Sequence, residues 1–312
     1  MKGEKFVTDE IANKVISENI TSGITHASQF HADDVFATAF LLMLNPRFTY
    51  KRTNIIPNNF NGLIYDIGFG KYDHHQKIKE YRENGIPYAT FGLLWRDFAK
   101  YLKFDGKYLS DITIKAVDRS LIQGLDKSDN TGSKNELSNI VGKFNPSNDK
   151  QWQSNERFAM AVEWAKAALY MVIESALQIE RNIVIVKESL QNLVDDVLFL
   201  DKCVGITEPN IYKMLSENNV DFVVYQSNRC DTDGTPLYNM QQVPISEKDT
   251  VGKVPFPNEW LGEERNKLPS PITFCHSGNW LLAFKADGKN EAIKIACKIS
   301  KISKNGGDKT GI

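Results

Sequence analysis

The chain has 312 residues, 41% of them hydrophobic and 25% charged, which is enough for two separately cored domains and excludes a disordered polymer. Its formal net charge of −1 argues against a protein that grips long duplex nucleic acid by its phosphates, while leaving room for a short anionic substrate. Four scattered cysteines form no CxxC pair and read as reduced thiols, so neither a disulfide framework nor a structural zinc knuckle is expected. The N-terminal MKGEKFVTDEIANKVISEN carries acidic residues and no continuous apolar core. No run approaches the ~18 apolar residues of a membrane span. A soluble, cytoplasmic protein without a membrane partner is the expectation.

In chain order, "SGIT" reads as a short strand ending before His26. "ADDVFATAFLLML" is a strongly apolar helix stopped by Asn45-Pro46. "RFTYKRT" and "GLIYDIG" read as strands, the second ending at Asp66 and Gly68. "ATFGLLWRDFAKYL" returns to helical period, and so does "ITIKAVDRSLIQGLDKSDN", with Ile114, Val117, Leu121 and Leu125 at core spacing. Such alternation implies an α/β fold with a parallel sheet whose ligands bind at the carboxyl ends of its strands. From Trp152 to about Leu193 the pattern is helical. "VDFVVYQS", "PLYNMQQVP" and "ITFCHSG" follow as strands, then "NEAIKIACKI" as a closing helix, and the tail "SKNGGDKTGI" is expected to fray. The expected organisation is a parallel-sheet α/β domain over 1–145, a helical connector over 146–200 and a smaller mixed α/β domain over 201–312.

All five histidines fall in three places: His26 and His31 in "THASQFHADD", His74 and His75 in "DHHQ", and His276 in "FCHSGNW". A lone histidine is most often an ordinary surface or core residue. Four of them in two carboxylate-rich clusters are harder to dismiss. His31 and Asp33 flank one residue just before a helix, and Asp66 ends a strand whose following loop carries Asp73, His74 and His75. The carboxyl end of a parallel sheet brings such loops together. Mixed imidazole and carboxylate donors without thiolate suit manganese, zinc, iron or cobalt. Asp126 and Asp129, one turn apart, raise the donor count above what one tetrahedral ion takes and suggest two ions. Their competing reading is a plain helix C-terminal turn ended by "DNTG". Lys77, Lys79 and Arg82 follow "DHHQ" and are either a polyanion-steering patch or a solvated helix face. His276 with Ser277 and the flexible Gly278 is either an anion-contacting turn or an ordinary strand end.

The succession of a His-x-Asp before a helix, a strand-end Asp, Asp-His-His and a helix-borne Asp resembles the DHH phosphoesterase superfamily. Within it, "THASQFHADDVFATAFLL", "YDIGFGKYDHHQ", "LDKSDN", "PNEWLG" and "FCHSG" together resemble the melanocyte proliferating gene family, from about residue 22 to 298. The resemblance implies that His31, Asp33, Asp66, His74 and Asp129 are metal ligands, with Asp66 bridging. It makes His26 and Asp126 further ligands or their partners, Asp73 the residue that orients a histidine, and His75 the contact to the substrate phosphate. It further implies two divalent ions, manganese first, with magnesium, cobalt and zinc as alternatives. The activity it implies is 3′-to-5′ hydrolysis of single-stranded RNA or short oligonucleotides, by a chain compatible with a homo-oligomer. A nucleotide phosphatase or pyrophosphatase-like hydrolase, and a metal-binding regulatory protein without turnover, are the alternatives. Two motifs depart from the family pattern: D-N-G reads Asp129-Asn130-Thr131, and W-R-G reads Trp260-Leu261-Gly262.

Overall fold

A computed structural model describes residues 19–305, so most of the N-terminal lead-in and of the C-terminal tail read above lie outside the described residues. The chain divides into a unit that runs to Leu177 and a second that starts at Gln178. No helix among the described residues is long and apolar enough to cross a membrane.

The first unit begins with β1 (Ser22–Thr25), α1 (Ala32–Leu44), β2 (Thr49–Arg52) and β3 (Leu63–Ile64). The three strands form a parallel sheet in the order β2-β1-β3, as the alternation of strand and helix implies. β1 is central because its Gly23 lets its neighbours close in: a Cβ there would lie 2.6 Å from the Phe48 ring and 3.0 Å from Tyr65. α1 is buried from Ala32 through Leu41, which is why its sequence shows almost no polar face. It stops at Asn45, whose extended backbone (φ −138°, ψ 106°) is what a following proline demands.

"GLIYDIG" forms a shorter strand than its apolar run suggests. β3 covers two residues, Tyr65 bridges Tyr72, and Asp66 turns away with a left-handed φ of 56°. Aspartate tolerates that region better than most non-glycine residues. α2 (Thr90–Phe98) packs on α1 through Phe36, Phe40, Phe91 and Trp95, with ring centroids 5.1–6.2 Å apart. A small hairpin, β4 (Lys103–Phe104) with β5 (Lys107–Tyr108), precedes α3 (Asp111–Val117). A π-helical turn, Asp118–Ile122, joins α3 to α4 (Gln123–Thr131), which ends on a left-handed Gly132. α5 (Glu136–Gly142) and α6 (Ser154–Ser189) follow, and α6 buries Phe158, Val162, Ala165, Leu169 and Ile173 along one stripe.

The second unit has β6 (Val197–Leu200), α7 (Pro209–Glu217), β7 (Phe222–Cys230), β8 (Pro236–Gln242), β9 (Ile272–Cys275), β10 (Leu281–Lys285) and α8 (Lys289–Lys304). Its five-stranded sheet runs β6-β7-β8-β10-β9, with β6 and β7 parallel and the remaining pairs antiparallel. Both faces are covered. Phe222 and Val224 join one apolar cluster with Ala292, Ala296 and Ile299 of α8, while Val223 and Tyr225 join another with Ile211 and Leu215 of α7. Continuous burial of that kind explains the unbroken apolar run of "VDFVVY". Of the residues expected as a connector, 146–200, α6 occupies most and the first strand of the second sheet the end.

Candidate metal centre

The loops after β1 and β3 carry the acidic and imidazole side chains, and the first turn of α1 and the end of α4 complete the set. Asp33 is 1% exposed. Its Oδ2 accepts the Thr90 N–H at 2.8 Å and its Oδ1 the Phe91 N–H at 2.7 Å. Ala89, at the start of α2, has no side chain able to cap that helix, so Asp33 satisfies its free N–H groups from α1 and is itself fixed in place.

The His74 Nδ1 lies 3.4 Å from Asp33 Oδ2 and 3.5 Å from Asp66 Oδ1, while its Nε2 lies 2.7 Å from Asp129 Oδ2. The His26 Nε2 lies 3.2 Å from both Asp34 Oδ2 and Asp66 Oδ2. The two oxygens of Asp66 therefore face different histidines. Three overlapping sets bring donor atoms within 4.8 Å of one another: His26, Asp34 and Asp66; Asp66, His74 and His75; and Asp33, His74 and Asp129. Thr90 adds a hydroxyl that donates to Asp66 Oδ1 at 3.2 Å.

Burial pushes the Asp66 carboxyl up, and the charges of Asp33 and Asp34 add to that shift against the opposing pull of His26. Burial alone would lower the two imidazoles, yet Asp34 and Asp66 push His26 up to about 10, and Asp129 and Asp33 push His74 up to about 11. Among the described residues no lysine or arginine forms an ion pair with Asp33, Asp34, Asp66 or Asp129. Asp34 Oδ2 is buried without an aligned hydrogen bond, despite its closeness to His26. Four clustered carboxylates and an unsatisfied oxygen mark a site that draws positive charge, and its oxygen and nitrogen donors fit divalent transition metals.

Asp73 accepts the His75 backbone N–H at 3.0 Å and lies 2.8 Å from the His75 Nδ1, and the Phe69 N–H also reaches it at 2.6 Å. Burial raises its carboxyl, but these backbone and ring donors outweigh that and hold it below the ordinary range. His75 stacks on His74 at 4.2 Å and is exposed at the mouth of the cluster. His31 is also exposed; its Nδ1 lies 3.6 Å from Asp129 Oδ1, outside the three sets.

Two of the expected site residues pair with each other outside the three donor sets. Asp126 is fully buried, accepts the Gly92 N–H at 3.2 Å and pairs with Arg82 at 2.7 Å, so it faces α2 rather than the three donor sets. Arg82 is 9% exposed and pairs with Asp118 as well, at 2.6 Å, so it does not belong to a solvated basic run. Gly92 makes this arrangement feasible, since a Cβ there would lie 1.9 Å from Asp126 Oδ2 and 2.9 Å from an Arg82 nitrogen. Gly92→Ala is therefore expected to destabilise the protein by about 1–3 kcal/mol, measured by denaturant unfolding. Unchanged stability would show that the pair can move aside at no cost.

Lys79 donates to Asn130 Oδ1 at 2.6 Å, which occupies part of its charge, and Lys77 is exposed. His276, Ser277 and Gly278 lie in the second unit at the β9–β10 turn, where the Gly278 N–H donates to His276 Nδ1 at 2.9 Å and the ring lies 4.9 Å from that of Trp280. The two departures from the family pattern are local. Thr131 bonds its own helix at Lys127 O, and Leu261 packs, partly buried, against the apolar cluster of the second sheet. Sequence reasoning left out Asp34 and Thr90. The second acidic residue of "HADD" was the available signal for Asp34; nothing local marks Thr90.

The MYG1_exonuc family model, described as "Uncharacterised protein family (UPF0160)", matches residues 23–298. A MYG1 protein of Chlamydia pneumoniae is 25% identical over 279 residues, covering 82% of this chain and 89% of its own length. With its Asp-His-His loop set among clustered carboxylates and a match spanning most of its length, the chain belongs to the MYG1_exonuc family, whose members are DHH-like.

Proposed function

We propose that this protein is a cytoplasmic, metal-dependent phosphodiester hydrolase that removes nucleotides from the 3′ end of single-stranded RNA or short oligonucleotides. The observation that carries the reading is Asp66, whose two oxygens face two different sets of nitrogen and oxygen donors. His26, Asp34 and Asp66 would hold one divalent ion, and Asp33, Asp66, His74 and Asp129 a second; the donors fit manganese, zinc, iron or cobalt, and the family resemblance puts manganese first. His31 stands beside Asp129 as an additional ligand. Ions so held would supply Lewis-acid polarisation of a phosphoryl group and lower the pKa of water.

The chain's own residues do the rest. Asp73 holds His75 Nδ1 and fixes the ring, which in its doubly protonated form would donate from Nε2 to a non-bridging phosphate oxygen. Thr90 and the N–H groups of α2 hold Asp66 and Asp33 in register, so the site is ordered before substrate arrives. In this reading residues 1–145 carry the chemistry, 146–200 connect, and 201–312 bind substrate through His276, Ser277 and Gly278.

A screen of manganese-loaded protein against a bis-aryl phosphodiester, oligoribonucleotides and mononucleotides tests the reading. Release of 5′-mononucleotides from the 3′ end is expected. Turnover of mononucleotides alone would replace the exonuclease with a phosphatase. Lys77 is exposed next to the Asp-His-His loop, so Lys77→Ala should weaken oligonucleotide binding a few-fold and reduce the salt slope by about one, with little effect on the aryl ester. An unchanged salt slope would return Lys77 to ordinary surface.

A further inference from the structure

Beside the metal centre the first unit has a cavity of about 230 Å³, whose lining includes His31, Asp129, Gln29, Ser128, Ser138 and Gly142. Pockets for drug-sized ligands run to ~300–1,000 Å³, so this one takes a single small moiety. None of its lining residues is a lysine or arginine, which makes it a poor phosphate site. Phe30 beneath it is fully buried, so the one ring it could offer a base is His31, which the metal reading places beside Asp129.

Apart from His31 and Asp129, which belong to the metal centre, its polar groups are the Gln29 amide and two hydroxyls that face acceptors of their own. Ser128 Oγ donates to Ser133 O at 2.8 Å and Ser138 Oγ faces Asn135 Oδ1 at 3.4 Å. A hydroxyl that donates inward keeps lone pairs to accept with, and the groups that donate to it best are other hydroxyls. We propose that this cavity holds the ribose of the nucleotide whose phosphate sits at the metal centre, and that it selects ribose over 2′-deoxyribose. The proposal rests on the hydrolase reading above and adds to it a reason for preferring RNA.

Gly142 lies in the cavity lining at the end of α5, and a Cβ built on it meets no atom within 4 Å, so a large side chain can be added there without disturbing the helix. The experiment is calorimetric titration of the manganese-loaded full chain with AMP and with 2′-deoxy-AMP. AMP should bind at least tenfold more tightly. Ser138→Ala should cut that ratio to about threefold or less while leaving 2′-deoxy-AMP affinity unchanged. Gly142→Phe should weaken AMP at least tenfold with metal content, read by elemental analysis, unaltered.

Equal affinity for the two nucleotides, absence of AMP binding, or wild-type affinity and preference in both variants would overturn the assignment. Hydrolysis of bis(p-nitrophenyl) phosphate and of an oligoribonucleotide is measured on the same samples. Selective AMP binding without hydrolysis supports the ribose site and removes the exonuclease reading. Hydrolysis with unselective binding removes the ribose site alone.

Discussion

Asp66→Asn is expected to lower phosphodiester hydrolysis by at least ~100-fold while the protein keeps its fold, a larger loss than at any ligand confined to one donor set. Changes to groups that only support a metal ligand cost ~10–100-fold, and a carboxylate shared by two sets should exceed that range. Its Oδ2 lies 3.2 Å from His26 and its Oδ1 3.5 Å from His74, so replacing one oxygen by an amide removes a donor from one side and the charge from both. Asparagine is the informative replacement because Asp66 has φ 56°, a conformation asparagine also adopts with little strain, whereas alanine would add a backbone cost. Burial and the nearby Asp33 and Asp34 already penalise a charged Asp66. With a chelator present, the variant should therefore unfold at the same denaturant concentration as wild type or a higher one. Near-normal turnover in a folded Asp66→Asn sample would remove Asp66 from the bridging role.

How far the sequence discloses this site depends on how local each interaction is. α1 and β1 occur where the apolar pattern places them, because burial on all sides and a proline stop leave their own signature. The contacts that sort Asp126 from Asp129 are not local. Both lie on α4 three residues apart, yet Asp126 is taken up by the Gly92 N–H and by Arg82, 34 and 44 positions away in the chain, and Asp129 by His74. No spacing rule along one helix distinguishes them. Likewise α2 begins at an alanine that cannot cap it, and only the fold shows that Asp33 does so from another helix. In the second unit β6 and β10 escape the sequence reading because apolar runs of four or five residues fit a strand and a buried helical turn equally well, and α7 because its nine residues bury only Ile211 and Leu215.

Under saturating manganese the protein should bind two ions per chain, and His74→Ala should bind one or none. His74 is the residue whose two nitrogens face opposite ways, Nε2 toward Asp129 at 2.7 Å and Nδ1 toward Asp33 and Asp66 at 3.4 and 3.5 Å, so its loss opens two of the three donor sets together. The set of His26, Asp34 and Asp66 does not use it and is the one that should keep an ion. Cation binding also relieves the repulsion among Asp33, Asp34, Asp66 and Asp129, so occupancy must appear as stability. At a hundredfold excess over the dissociation constant one ion contributes about 2.7 kcal/mol, which for a unit of this size raises the thermal midpoint by about 5–10 °C. His74→Ala should show a smaller rise, because it keeps fewer ions. Elemental analysis finding one ion in the wild type would leave Asp66 as a ligand of a single centre and would require the second donor set to be explained as support for the first. A wild-type midpoint that does not move with manganese, at a concentration where the ions are found bound, would mean that the carboxylates do not meet the metal at all.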